Sequence, residues 1–199
     1  MVTPDIKIHI QTLGRFSISI AGNPVATEWP NEMVKVFFCS LLSPLDLYFT
    51  WDRVCRSMLS VPVSRASRHR LDELIIRPLI NFLVKEIGFN PLVAVKEGIH
   101  IDQKHIHVDA HEFYATVLEG IKLLSEADNA AALEKFGRAD ALYTGSYLPG
   151  IMGKIIENAR HDLDSLYLTA VMEGVWQARS TRQANTPLFH PPQKKTMTS

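Results

Sequence analysis

Arg65, Arg68 and Arg70 crowd the opening of an amphipathic segment, Arg77 and Lys85 lie further along it, and Lys96 and Lys104 occupy the stretch that follows. Cations spaced this way can neutralise the phosphates of a nucleic acid, and an arginine fork can also read a guanine edge in the major groove. If the N-terminal part of the segment enters a groove, Arg65, Arg68, Arg70 and Arg77 are the candidate contacts. Two plainer readings stay open: a solvated face ahead of a helix, and a surface for a protein partner.

Histidine is the other concentrated residue type. His100, His105, His107 and His111 fall within a dozen residues, and on a strand His105 and His107 would share a face. Zinc asks for three or four converging ligands, and no cysteine lies nearby. The pattern therefore predicts a solvated hairpin, with a metal site and a weak pH sensor as the alternatives. Cys39 and Cys55 sit inside apolar helical patterns and read as buried free thiols. No catalytic set is legible. Gly145, Gly150 and Gly153 lack the lysine and hydroxyl of a phosphate loop, and there is no Gly-x-Ser-x-Gly elbow. Asp162 and Asp164, two apart on a helix, cannot share a face. The expectation is a protein that is not an enzyme and carries no cofactor.

The elements that must hold these residues can be read from periodicity. Ile6, Ile8 and Ile10, then Phe16, Ile18 and Ile20, alternate as two half-buried strands around Leu13-Gly14. From Asn31 the period becomes helical through Val34, Phe37, Phe38, Leu41 and Leu42, ending at Ser43-Pro44. Thr50 can cap a short second helix with Val54, Met58 and Leu59 inward, ended by Pro62. Leu71, Leu74, Ile75, Leu79, Leu83 and Ile87 mark a third helix over 64–87, with Pro78 predicting a kink or break. Leu92 to Val95, Gly98, and Ile99 to Val108 read as a β-hairpin.

The next stretch has both its ends written out. In VDAHEF, Asp109 and Glu112 have the spacing of a capping box. Phe113, Val117, Ile121 and Leu124 then give one stripe, and Leu133, Phe136 and Leu142 a second one that Gly145 stops, so two helices should pack face to face. Ile155, Ile156, Ala159, Leu163, Leu166, Tyr167, Ala170 and Val171 form the strongest helical stripe, able to cover that hairpin. From Ser180 periodicity is lost, which predicts a mobile tail.

VDAHEF, the alanine-rich helix after it and LYTGSYLPG together resemble the start of the bacterial transcriptional activator domain of the SARP-type (Streptomyces antibiotic regulatory protein) activators. Upstream, IQTLGRFSISIAGNPV is similar to that family's opening strands, VKVFFCSLL to its first helix, and IHIDQKHIHVDAHEF to its wing running into the activator domain. The resemblance implies an α+β chain: a winged helix-turn-helix over 4–107, a truncated, all-α tetratricopeptide-like segment over 108–178, and a tail over 179–199. It also implies function, namely a SARP-like regulator on promoter double-stranded DNA. Arg65, Arg68, Arg70 and Lys85 would neutralise phosphates, Lys96 and Lys104 on the wing would brace the backbone, and the helical segment would face RNA polymerase or a homodimer partner. The sequence departs from the family at Phe82 and Val84, which align where arginines are common. Turned outward they would make an apolar interaction patch; in a register one residue different they are core. The alternative function is accordingly a protein-interaction module of the same fold that does not bind DNA.

Composition excludes little. The chain has 199 residues, 46% of them hydrophobic, and zero formal net charge, so it lacks the basic excess that many nucleic-acid binders show. It has no apolar run of about 18 residues and no signal-peptide pattern at its start, and reads as soluble and cytoplasmic, without a membrane partner.

Overall fold

The computed structural model describes residues 8–25, 28–46 and 48–176. Ile6 and the segment 179–199 lie outside the described residues. Helix and sheet are mixed. Strands β1 (Ile8–Gln11), β2 (Ser17–Ile20) and β3 (Asn23–Pro24) form an antiparallel meander. Ile8, Ile10 and Ile18 turn into the core while His9, Gln11, Ser17 and Ser19 face out, the alternation expected of a sheet with one wet face. Helix α1 (Glu32–Ser40) is capped by Asn31, which accepts from the Val34 N–H, and buries Val34, Phe37 and Phe38. After β4 (Phe49–Thr50), Thr50 caps α2 (Trp51–Leu59) by accepting from the Arg53 N–H.

The third helical segment is α3 (Arg65–Leu71), a π-helical turn over Asp72–Ile76, and α4 (Arg77–Ile87). Pro78 neither breaks nor stops it. A proline has no N–H and its ring collides with the carbonyl one turn back; here the preceding turn is widened, with the Arg77 N–H donating to the Asp72 carbonyl five residues earlier. Leu71, Ile75, Leu79 and Leu83 are fully buried, whereas Leu74 points to solvent, against its place in the predicted stripe.

The stretch from Ile99 to Val108 is not one strand of a hairpin. β5 (Leu92–Ala94) and β6 (Gly98–Ile101) do form an antiparallel hairpin, which β4 joins. A 3-10 turn at Gln103–His105 then redirects the chain into β7 (Ile106–Val108), parallel to β1 in the other sheet. The sheet orders are β3-β2-β1-β7 and β4-β6-β5.

Three helices follow: α5 (Asp109–Ser125), α6 (Asn129–Leu142) and α7 (Lys154–Leu166), the last continuing through a π-helical turn at Tyr167–Met172. Phe113 and Val117 turn to the core as the stripe predicts, with Ala110, Thr116 and Gly120 beside them and Leu124 half-buried against it, whereas Ile121 is exposed. Phe136 sits between two glycines: a Cβ on Gly120 would come within 2.7 Å of its ring and one on Gly174 within 2.5 Å. Gly137, one residue on, has open space around it. Gly120→Ala is therefore expected to destabilise by about 1–2 kcal/mol through overpacking, whereas Gly137→Ala should stabilise by about 0.5–1 kcal/mol through helix propensity. Urea melts of the two variants separate the effects by sign.

The loop between α6 and α7 is sewn to the first sheet. The Leu148 N–H donates to the Thr12 carbonyl, the Gly14 N–H to the Ser146 carbonyl, and Thr144 Oγ1 to the Leu13 carbonyl. Arg160 backs the loop, its guanidinium donating to the carbonyls of Tyr147, Leu148 and Ile151. Tyr147 is fully buried and its hydroxyl reaches the Cys39 carbonyl at 3.4 Å. Cys39 and Cys55 are both buried free thiols, as the sequence predicts.

Asp109 corrects the capping-box expectation. It is the first residue of α5, and its carboxylate accepts from the Thr12 N–H (2.7 Å), the Thr12 hydroxyl (2.6 Å), the Leu13 N–H (3.0 Å) and the Ala110 N–H (2.8 Å). Glu112 does not reach back. Its carboxylate takes Arg138 from α6 and His107 from β7 instead, and Arg138 first, then His107, holds it below the usual carboxylate range against the opposing effect of burial. The spacing suits a cap, but a buried strand end 97 residues away in sequence supplies better donors.

Candidate nucleic-acid interface

The α3–α4 helix is anchored by its apolar side and shows its polar side to solvent, which decides where its cations can act. Ser64 caps α3 reciprocally with Ser67: the Ser67 N–H donates to Ser64 Oγ (3.0 Å) and the Ser64 N–H to Ser67 Oγ (2.8 Å). This fixes the first turn, from which Arg65 projects. Arg65 and Arg70 are exposed and form no ion pair with a described residue. Arg68 lies differently. Its guanidinium carbon sits 3.3 Å from the centre of the Trp51 ring, and burial pulls its pKa down. Trp51 in turn donates from Nε1 to the Val95 carbonyl at 2.9 Å, tying α2 to the β5–β6 hairpin.

Further along, the cations are compensated. Arg77 Nη2 is 2.6 Å from Asp72 Oδ2, and Lys85 Nζ is 2.9 Å from Glu86 Oε1, which pushes the Lys85 pKa up. The free positive charge of the helix thus gathers in the first two turns of α3. Lys96 is exposed in the β5–β6 turn, while Lys104 is exposed in the 3-10 turn beyond the far end of β6. The structure does not bring these two lysines together.

The proposed apolar patch is divided. Phe82 is 6% exposed, its ring tilted against Trp29 with centroids 4.4 Å apart, and Trp29 also packs on Phe38 and Phe16. It is a core residue. Val84 is 47% exposed and stays on the outer face. The histidines separate as well: His100 faces Tyr48, His105 lies edge-on to Phe89, His107 binds Glu112, and His111 donates from Nε2 to the Leu42 carbonyl. Burial pushes the His111 pKa down. Among the described residues no group of three or more potential ligands could hold a metal ion.

Trp51 and Trp29 are the two positions that residue spacing did not single out. One orients Arg68 and the hairpin, the other locks α4 through Phe82. Each acts on a partner distant in sequence, so periodicity carried no sign of them.

No family model matches the sequence, and no curated protein matches it. Among solved structures the chain is similar to Mycobacterium tuberculosis EmbR in complex with a low-affinity phosphopeptide, with a TM-score of 0.59 and 14% identity. The likeness is one of fold. It covers 89% of this chain and 45% of that one, so the chain spans less than half the length of its structural neighbour. No helix among the described residues is long and apolar enough to cross a membrane.

Proposed function

We propose that this chain is a DNA-binding transcriptional regulator of SARP-like type. In this reading residues 4–107 act as a winged helix-turn-helix on promoter DNA, with the β5–β6 hairpin as the wing. Residues 108–178 act as a tetratricopeptide-like segment facing a dimer partner or RNA polymerase. The fold shared with EmbR supports it, as do the sequence motifs of the opening strands and of LYTGSYLPG. The observation that carries it is the pair Arg65 and Arg70: exposed, uncompensated, and held on the first two turns of the helix that follows α2 through a short turn. The mechanism is positional. Arg65 and Arg70 neutralise phosphates, Arg68 on its Trp51 platform presents a fixed fork, and Lys96 braces the backbone from the hairpin.

A salt series on duplex DNA tests this. Each phosphate neutralised contributes about 0.9 to the slope of log K against log salt, so Arg65→Ala with Arg70→Ala should flatten the slope by about 1.8 and weaken all duplexes alike. Sequence preference should barely move. A wild type that fails to bind random duplex at about 50 mM salt overturns the reading and makes the helix a protein-docking surface instead.

A further inference from the structure

The outward face of the four-stranded sheet carries none of the residues to which the DNA reading gives a contact, and it is rich in hydrogen-bond donors. Strand register aligns Ser19, His9 and His107 in one row across β2, β1 and β7, and sets Ser17 opposite Gln11 in the next row on the same face. Neighbouring strands are about 4.8 Å apart, so the three-residue row spans about 10 Å. The rings of His9 and His107 are 5.2 Å apart. These side chains, with Arg15 from the β1–β2 turn, border a hollow of about 570 Å³.

We propose that this hollow binds a small phosphate-bearing ligand through Arg15, His9 and His107, with the Ser17 and Ser19 hydroxyls as further donors. Arg15 spends its Nε on Gln11, and its two terminal nitrogens have no partner among the described residues. They form the planar fork that suits a phosphate. The hydroxyls are loosely engaged: Ser17 Oγ is 3.5 Å from Gln11 Oε1, and Ser19 Oγ is 3.5 Å from the His9 carbonyl. Both can turn to a better acceptor. One carboxylate, Asp109, stands among the described lining residues, and its oxygens already accept four donors. Glu112 is likewise taken, between Arg138 and His107, where it orients the His107 ring. Strands β2 and β1 are each paired on both sides, so recognition there falls to the side chains.

His107 faces His9 from β1 and Glu112 from α5, with Arg138 of α6 behind Glu112, and Asp109 and Arg15 close the rim.

Calorimetric titration of the full chain with inorganic phosphate and with AMP, alongside proton NMR of the histidine rings, tests the site. Both probes should bind and shift the His9 and His107 resonances, and Arg15→Gln or His9→Gln should weaken binding roughly tenfold or more. Arg65→Ala with Arg70→Ala should leave probe binding unchanged. Phosphate binding as well as AMP marks a bare anion site and AMP alone marks a phosphate ester site; either supports the proposal. No heat from either probe at about 10 mM, affinity unmoved by Arg15→Gln, or loss of probe binding in the Arg65/Arg70 variant would each overturn it. A fall in duplex DNA affinity with Arg15→Gln would also overturn it, by making the hollow part of the DNA interface.

Discussion

Phe82→Arg should unfold the protein, while Val84→Arg should leave it folded and tighten its grip on duplex DNA. The two positions are two residues apart on α4 and differ only in which way the helix turns them. Phe82 is 6% exposed and lies against Trp29, which ties α4 to Phe38 of α1 and to Phe16 just ahead of β2. Emptying a buried phenylalanine site costs about 3–5 kcal/mol. An arginine there adds the penalty of a buried, unpaired charge, so the total matches the whole stability of an ordinary domain, about 5–15 kcal/mol. Val84 is 47% exposed. A cation there meets water, and if it reaches a phosphate it should steepen the salt slope by about 0.9. Urea melts and a DNA salt series on the two single variants check both halves. A soluble, cooperatively folding Phe82→Arg protein would show that Trp29 and Phe82 do not hold α4 in place.

Much of the fold was legible because apolar spacing and helix ends are local signals. Asn31 and Thr50 cap the helices they precede, and Ile8↔Ile20 and Ile10↔Ile18 pair as the alternation requires. The misplacements share a cause, which is that a distant partner overrode a local rule. Family alignment turns Phe82 outward, yet its spacing of three from Leu79 turns it inward, and packing on Trp29 settles the matter in favour of spacing. The π-helical turn at Asp72–Ile76 lets residues four apart, Leu71, Ile75, Leu79 and Leu83, stay in line, while Leu74, periodic on paper, rotates into solvent. The 3-10 turn at Gln103–His105 ends β6 and sends β7 to the other sheet, an outcome fixed by pairing with β1 that no hairpin signal contains. Of the candidate interface, the arginines were visible as a cluster. Which of them are free was not, because the Arg77–Asp72 and Lys85–Glu86 pairs and the Arg68–Trp51 stack depend on rotamers and on α2.

Asp109→Ala separates a local cap from a long-range strut by magnitude alone. Losing an ordinary helix cap costs about 1 kcal/mol. Here the carboxylate also satisfies the N–H and hydroxyl of Thr12 and the N–H of Leu13, two residues with no solvent exposure. Each buried donor left without a partner costs about 1–3 kcal/mol, and with imperfect additivity the loss should reach about 4–6 kcal/mol. The damage should spread along the seam, because the same residues receive the loop between α6 and α7: Thr12 accepts from the Leu148 N–H and Leu13 from Thr144 Oγ1. Asp109→Asn, which keeps one acceptor oxygen, should lose roughly half as much. Amide hydrogen exchange should show Thr12, Leu13 and Leu148 losing protection together, while the DNA affinity of the folded fraction stays the same. A loss of about 1 kcal/mol with Thr12 and Leu13 still protected would return Asp109 to the role of a simple cap, and the sheet and the α6–α7 loop would then have to be held together by other contacts.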